Sequence, residues 1–152
     1  MTTRIVSGEA GKRRIRASAV CVFRAQLLCV RLRDPLTRVD RLFVPGGELE
    51  PGETAAAAAS RETLEETGSR VAIAPESEVL VHHDFTWNGV LFDVTTHYFR
   101  ASLLDAGESG ARALAGEPAY NEGVRWLAIE DVDRELGFCV PILGAVRGLL
   151  LL

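Results

Sequence analysis

Cysteine is scarce and unpatterned in this chain. Cys21, Cys29 and Cys139 are odd in number, and none stands in a Cys-x-x-Cys pair. That argues against a disulfide framework or a zinc–thiolate centre, and it predicts buried thiols in a reducing, cytoplasmic setting. Long apolar runs are also missing. The N-terminus has no stretch of signal-peptide type, and the apolar C-terminal run is too short to cross a bilayer, so no membrane partner is expected. Nor is there a basic excess: 17 Lys and Arg face 21 Asp and Glu, giving a net charge of −4. Without a basic stripe, a nucleic-acid polymer is not an expected partner. Repeats and linkers are absent as well.

What is present fits one globular domain spanning residues 1–152. The chain is 47% hydrophobic and 25% charged, ordinary proportions for a globular protein. A chain of this length buries about 68–70% of its unfolded surface. Residues 1–13 are polar apart from Ile5-Val6 and read as a flexible tail or a short edge strand. Arg14 to Phe23 and Gln26 to Arg33 are β-rich, and Arg24-Ala25 between them predicts a hairpin without the favoured Gly or Asn. Next comes a polar loop from Asp34 to Arg41. Arg31, Arg33, Arg38 and Arg41 in or beside it are candidates either for holding phosphates or for solvated surface charge. Leu42 to Val44 reads as a short strand that leads into a glycine-rich turn.

The chain is organised around the segment from that turn onward, Gly47 to Ser69. The alanine run Ala55 to Ala59 continues through Arg61, Glu62, Leu64, Glu65 and Glu66, all good helix formers. Thr54 is the candidate N-cap and Gly68 the left-handed stop. Glu62, Glu65 and Glu66 fall at i, i+3 and i+4 and share one face. Ala55, Ala58 and Ala59 lie on that same face, which predicts open space beside the carboxylates. Leu64, Ala57 and Ser60, opposite, are the expected core-facing stripe. Three carboxylates on one face repel one another unless a cation neutralises them, and clustered carboxylate oxygens suit Mg²⁺ or Mn²⁺. Arg61 neutralises part of that charge and can orient one glutamate through a bidentate pair. The loop Pro45-Gly46-Gly47 and the turn Pro51-Gly52 should fold back to bring Glu53 near the same site. The plainer reading of these glutamates is a solvated acidic helix face.

The spacing carries more than the glutamates alone. Gly47, five residues, Glu53, seven residues, then Arg61-Glu62-Thr63-Leu64-Glu65-Glu66-Thr67-Gly68 resembles the Nudix box of the Nudix hydrolase family. Every glycine, glutamate and arginine of that signature is present. Thr63 and Ser69 depart from it, standing where the family prefers aliphatic residues. The resemblance implies an α/β fold of the Nudix type, an α/β/α sandwich with a mixed, curved β-sheet between helices. It also implies metal-dependent hydrolysis of a nucleoside diphosphate linked to another group, with Mg²⁺ or Mn²⁺ as cofactor. By motif position Glu62, Glu65 and Glu66 resemble the metal ligands, and Glu65 and Glu66 also fall among the catalytic residues. Glu53 resembles the supporting ligand or alternative base, and Arg61 the orienting residue. Gly46 and Gly47 resemble the loop glycines that let backbone approach the site. Glu122, before the strand Val124 to Ala128, is the candidate for the further glutamate the family often uses as ligand or base.

Downstream, Val79 to Trp87, Asn88-Gly89 and Val90 to Ala101 form the clearest hairpin signal in the chain. A two-residue loop pairs Trp87 with Val90, Phe85 with Phe92 and His83 with Val94. It also sets Asp84 opposite Asp93, a like-charge pair that costs stability and suggests solvated aspartates on a slightly shifted ladder. His82, His83 and His97 read as structural or surface histidines. Trp87 and Phe85 are candidates for base stacking or for core. In the family a proline somewhat downstream of the box accompanies ADP-ribose hydrolysis, and a tyrosine accompanies diadenosine polyphosphate hydrolysis. Asp84-Phe85-Thr86-Trp87 matches neither, which leaves a nucleoside triphosphate or dinucleotide as the leading expectation. The alternative is a Nudix-like binding domain without catalysis. Leu104 to Tyr120 reads as a long loop with Glu117 and Glu122 flanking its end. Ile129 to Leu136 reads as helical, and Pro141 opens a last helix running to about Leu150. That helix should pack on the core or form the contact of a homodimer.

Overall fold

The computed structural model describes residues 11–107 and 118–151. The alternation of the N-terminal β-rich stretch becomes a long strand, β1 (Lys12–Phe23), on which the rest of the sheet is assembled. It pairs in parallel with β7 (Val90–Asp105), from Lys12 opposite Phe92 to Cys21 opposite Ala101. It pairs antiparallel with β4 (Gly46–Glu48) along Arg16 to Ser18, and with β2 (Gln26–Arg33) at its far end. β2 carries β3 (Asp40–Phe43) and β8 (Asn121–Ala128); β7 carries β5 (Arg70–Ile73) and β6 (Val79–Trp87). The result is a mixed, eight-stranded sheet with helices on it, the expected α/β architecture.

The β1–β2 turn forms where expected, on unusual residues. Arg24 (φ 52°) and Ala25 (φ 61°) both take the left-handed conformation that a primed turn demands, at a cost of roughly 1–2 kcal/mol per non-glycine residue. The β6–β7 hairpin adopts the register its Asn-Gly turn dictates, from Trp87↔Val90 to Val79↔Tyr98. Asp84 does stand opposite Asp93, so the ladder is not shifted. β7 continues to Asp105, beyond the point where the sequence suggests a loop. Glu117 and the Ile5-Val6 pair lie outside the described residues.

Alternation along β1 divides the labour between the two faces of the sheet. Ala17 packs on one side with Ala58, Ala59 and Phe99, where α1 (Ala55–Thr67) docks. Val20 faces the other side, where α2 (Val132–Leu136) and α3 (Val140–Leu150) cover the main core through Val132, Leu136, Ile142, Ala145, Val146 and Leu149. The C-terminal helix thus packs on this chain's own core. Among the described residues no helix is long and apolar enough to cross a membrane.

α1 is capped as expected: Thr54 Oγ1 accepts from Ala57 N at 3.1 Å, and Gly68 (φ 75°) donates to Leu64 O at 2.9 Å. Its buried face differs from the expected one. Ala58, Ala59, Thr63, Glu66 and Thr67 are buried, whereas Ala57 is exposed and Ser60 and Leu64 are only half-buried. The reason is steric: alanine against alanine lets helix and sheet approach closely, so the small-residue face docks and carries the acidic residues inward with it. The two hydroxyl residues at aliphatic positions are fully accommodated. Thr63 Oγ1 donates to Ala59 O at 2.7 Å, and Ser69 Oγ accepts from Gly107 N at 3.0 Å.

Candidate active site

β4 and α1 build one wall of a cleft of about 360 Å³. Gly46 and Gly47 are required there by close approach. A side chain on Gly46 would run into the Ser18 hydroxyl and the Ala17 carbonyl, and one on Gly47 into the carboxyl of Glu62. The Gly46 peptide is held from both sides: its N–H donates to Glu66 Oε1 at 2.7 Å, and its carbonyl accepts from Arg16 Nη2 at 3.0 Å. Glu62, Glu65 and Glu66 all line the cleft, as their shared helix face predicts.

Arg61 organises the carboxylates from behind. Its Nε and Nη2 grip both oxygens of Glu53 at 2.8 and 2.9 Å, its Nη1 reaches Glu62 at 2.9 Å and Glu65 at 3.2 Å, and Nη2 also donates to the Glu48 carbonyl at 3.0 Å. Four residues accepting from one planar fork fix its orientation, and its pKa is raised, first by Glu53. Glu53 in turn is held down to about 2, by Arg61 and then by the Glu50 backbone N–H. Its oxygens are committed to those partners, and it does not line the cleft. Glu62 moves in the opposite direction. Burial raises its pKa, and Arg61 only partly offsets the rise.

Glu122 is not brought to this cluster. It sits at the start of β8, 3.8 Å from Arg33. The arginines of the 34–41 loop also lie elsewhere: Arg31 and Arg33 pair with Asp40, and Arg41 lies over Phe138. The cationic side of the cleft comes instead from Arg14 and Arg16 on β1. Arg14 pairs with Glu48 at 3.1 Å and stacks on Phe92, 4.0 Å from the ring centre. Their i, i+2 spacing puts both on one strand face, but which face depends on a pairing partner 80 residues away.

The floor and far wall are aromatic. Phe43 makes edge contacts with Phe85 and Trp87 at 6.0 and 6.1 Å, and Trp87 meets Tyr120 at 5.6 Å; all four line the cleft. Tyr98 lies at its base, its hydroxyl pushed up to about 12 by burial. His83, expected to be structural, is buried but also lines the cleft.

Among the described residues no three acidic, histidine or cysteine side chains form a ready cage for a metal ion. Arg61 bridges Glu62 and Glu65, and the Gly46 N–H holds Glu66. The donor set nevertheless fits a hard divalent cation: three carboxylates at one cleft wall, all oxygen donors, with Glu62 desolvated by burial. Glu62, Glu65 and Glu66 are the residues that would hold it.

The NUDIX domain family model matches residues 12–139. No curated protein is significantly similar in sequence. Among solved structures, a NUDIX hydrolase from Nitrosomonas europaea aligns with a TM-score of 0.65 at 25% identity, covering 90% of this chain and 87% of its own. An Ap4A hydrolase from C. elegans aligns at 0.65 and 19% identity, covering 90% and 96%. A MutT protein from Methanosarcina mazei aligns at 0.61 and 17%, covering 91% and 94%. The last two likenesses speak for the fold.

Proposed function

Because this chain belongs to the Nudix family and is a pyrophosphohydrolase, we propose that it cleaves a phosphoanhydride bond of a nucleoside triphosphate or dinucleotide with Mg²⁺ or Mn²⁺. One observation carries this reading: a single cleft joins a carboxylate wall, two arginines and an aromatic floor, the groups that metal, phosphates and nucleobase need. A bound divalent cation supplies charge neutralisation of the phosphates and a lowered pKa for the attacking water.

The protein's own groups do the rest. Glu62, Glu65 and Glu66 would hold the cation. Glu65, whose side chain is 45% exposed and lies 3.2 Å from Arg61, would also be placed to accept the water's proton. Arg16, fixed by its bond to the Gly46 carbonyl, and Arg14, steadied by Glu48 and Phe92, meet phosphate oxygens from the opposite side. Phe85, Trp87 and Phe43 seat the base. Glu53 acts through Arg61: it aims the guanidinium and so sets the positions of Glu62 and Glu65.

The test is turnover with Mg²⁺ over nucleoside triphosphates, dinucleoside polyphosphates and nucleotide sugars. Glu65→Gln and Glu66→Gln should each lower kcat by roughly 100-fold or more, the size expected for a lost acid–base or charge-stabilising group. Far-UV circular dichroism should stay unchanged. Wild-type turnover in both variants refutes these roles. Binding of one nucleotide without hydrolysis by the wild type would favour a binding domain.

A further inference from the structure

The aromatic floor of the cleft contains a polar patch that the hydrolytic chemistry does not use. His83 is 3% exposed, and its Nδ1 lies 3.0 Å from the Asp84 carbonyl. A carbonyl only accepts, so Nδ1 carries the hydrogen and Nε2 is left as an acceptor. Burial lowers the ring's pKa and nearby Arg16 adds to the effect, which keeps that lone pair free. Nε2 has no protein partner among the described residues, and the ring stands edge-on to Phe85 at 6.1 Å in the cleft wall.

Thr96 is the second member. It is 1% exposed, lines the same cleft, and its Oγ1 makes no hydrogen bond among the described residues. The Tyr98 hydroxyl is a polar neighbour of Thr96. The ladder explains the juxtaposition: Val81 pairs with Thr96 and His83 with Val94, so His83 and Thr96 are diagonal neighbours on one face. Diagonal neighbours stand about 7–8 Å apart, so both side chains border the same part of the cleft. An unpartnered hydroxyl in such a place costs stability unless something in the cleft bonds to it.

We propose that His83 Nε2 and Thr96 Oγ1 read the edge of the substrate's nucleobase, and that His83 selects a base presenting an N–H donor while Phe85 and Trp87 hold its flat faces. The assignment rests on the nucleotide hydrolase reading above and adds the residue that sets base preference.

The experiment compares kcat/KM for ATP and for purine riboside 5′-triphosphate, which has the same ring and phosphates but no exocyclic N–H. The wild type should favour ATP by about tenfold or more, the worth of one buried hydrogen bond, with the difference in KM. In His83→Phe the ratio should fall toward one. In His83→Gln, which restores an acceptor, part of the preference should return. Equal kcat/KM for the two triphosphates in the wild type overturns the proposal without any variant, and so does an ATP preference that His83→Phe leaves intact. Both outcomes leave hydrolysis itself standing. Failure of the wild type to turn over any nucleotide overturns the hydrolase reading and this assignment together.

Discussion

Gly46 and Gly47 are neighbours on one three-residue strand, and the same substitution in each should fail in different ways. An alanine methyl at Gly47 meets the carboxyl of Glu62, the far end of a flexible side chain. Glu62 can swing away, so the fold should change by no more than about 0.5 kcal/mol. The swing takes Glu62 from Arg61 Nη1 and from its place beside Glu65 and Glu66. A displacement of about 1 Å in a positioned group costs on the order of 100-fold in rate, so Gly47→Ala should keep its melting temperature and lose turnover. At Gly46 the methyl meets the backbone carbonyl of Ala17 and the side chain of Ser18, and neither can yield without moving β1. Overpacking of this kind costs about 1–3 kcal/mol. At about 2–4 °C per kcal/mol for a chain of this size, Gly46→Ala should melt about 2–12 °C lower. The bonds from Gly46 to Glu66 and Arg16 would loosen as well. Thermal melts and steady-state turnover on the two purified variants test the pair. Full turnover in Gly47→Ala refutes the claim that the glycine exists to admit Glu62, and equal melting losses in both variants refute the contrast.

Two predictions concern pH. Burial raises the pKa of Glu62, so without divalent cation its contribution to stability is complete below the ordinary carboxylate value of about 4.3 and is lost as pH rises through the elevated one. In EDTA at neutral pH, Glu62→Gln should therefore melt higher than the wild type, and Mg²⁺ should raise the wild type's melting temperature more than the variant's. An equal Mg²⁺ shift in both removes Glu62 from the metal site. Glu53 has the opposite sign: its folded pKa of about 2 means that its contribution is present above about 4.3 and disappears as pH falls through 2. Denaturant midpoints between pH 2 and 6 should fall more steeply in the wild type than in Glu53→Gln, and parallel curves would show that the Arg61 grip does not stabilise the fold.

The box and the second hairpin were legible in the sequence because each fixes its own geometry. Asn88-Gly89 sets a two-residue turn, and every cross-strand pair is determined by it; Glu62, Glu65 and Glu66 share a face by helical arithmetic alone. Features that depend on a distant partner were not legible. Arg14 and Arg16 reach the cleft only because β1 lies parallel to β7, with Arg16 beside Thr96. On α1 apolar character points to Leu64 as the buried side, whereas close approach favours alanine and buries Ala58 and Ala59. β4 reads as a turn because three residues with two glycines carry no strand pattern. Glu122 and the arginines near Asp34 attract notice by charge, but Arg33 pairs with Glu122 and Asp40, Arg31 pairs with Asp40, and Arg41 lies over Phe138.

The two faces of β1, β6 and β7 answer to different requirements. Residues such as Ala17 and Phe99 must match a helix that cannot retreat, whereas Arg14, His83, Phe85, Val94 and Thr96 line the cleft. The cleft-lining residues among these alternate positions are thus available for trying new ligands, while Val20, Val81 and the positions on the other face preserve the scaffold and its acid wall. Diversity of substrate on a constant hydrolytic core is a consequence of the two-residue period of a β-strand, and libraries aimed at new substrates belong at those alternate sites.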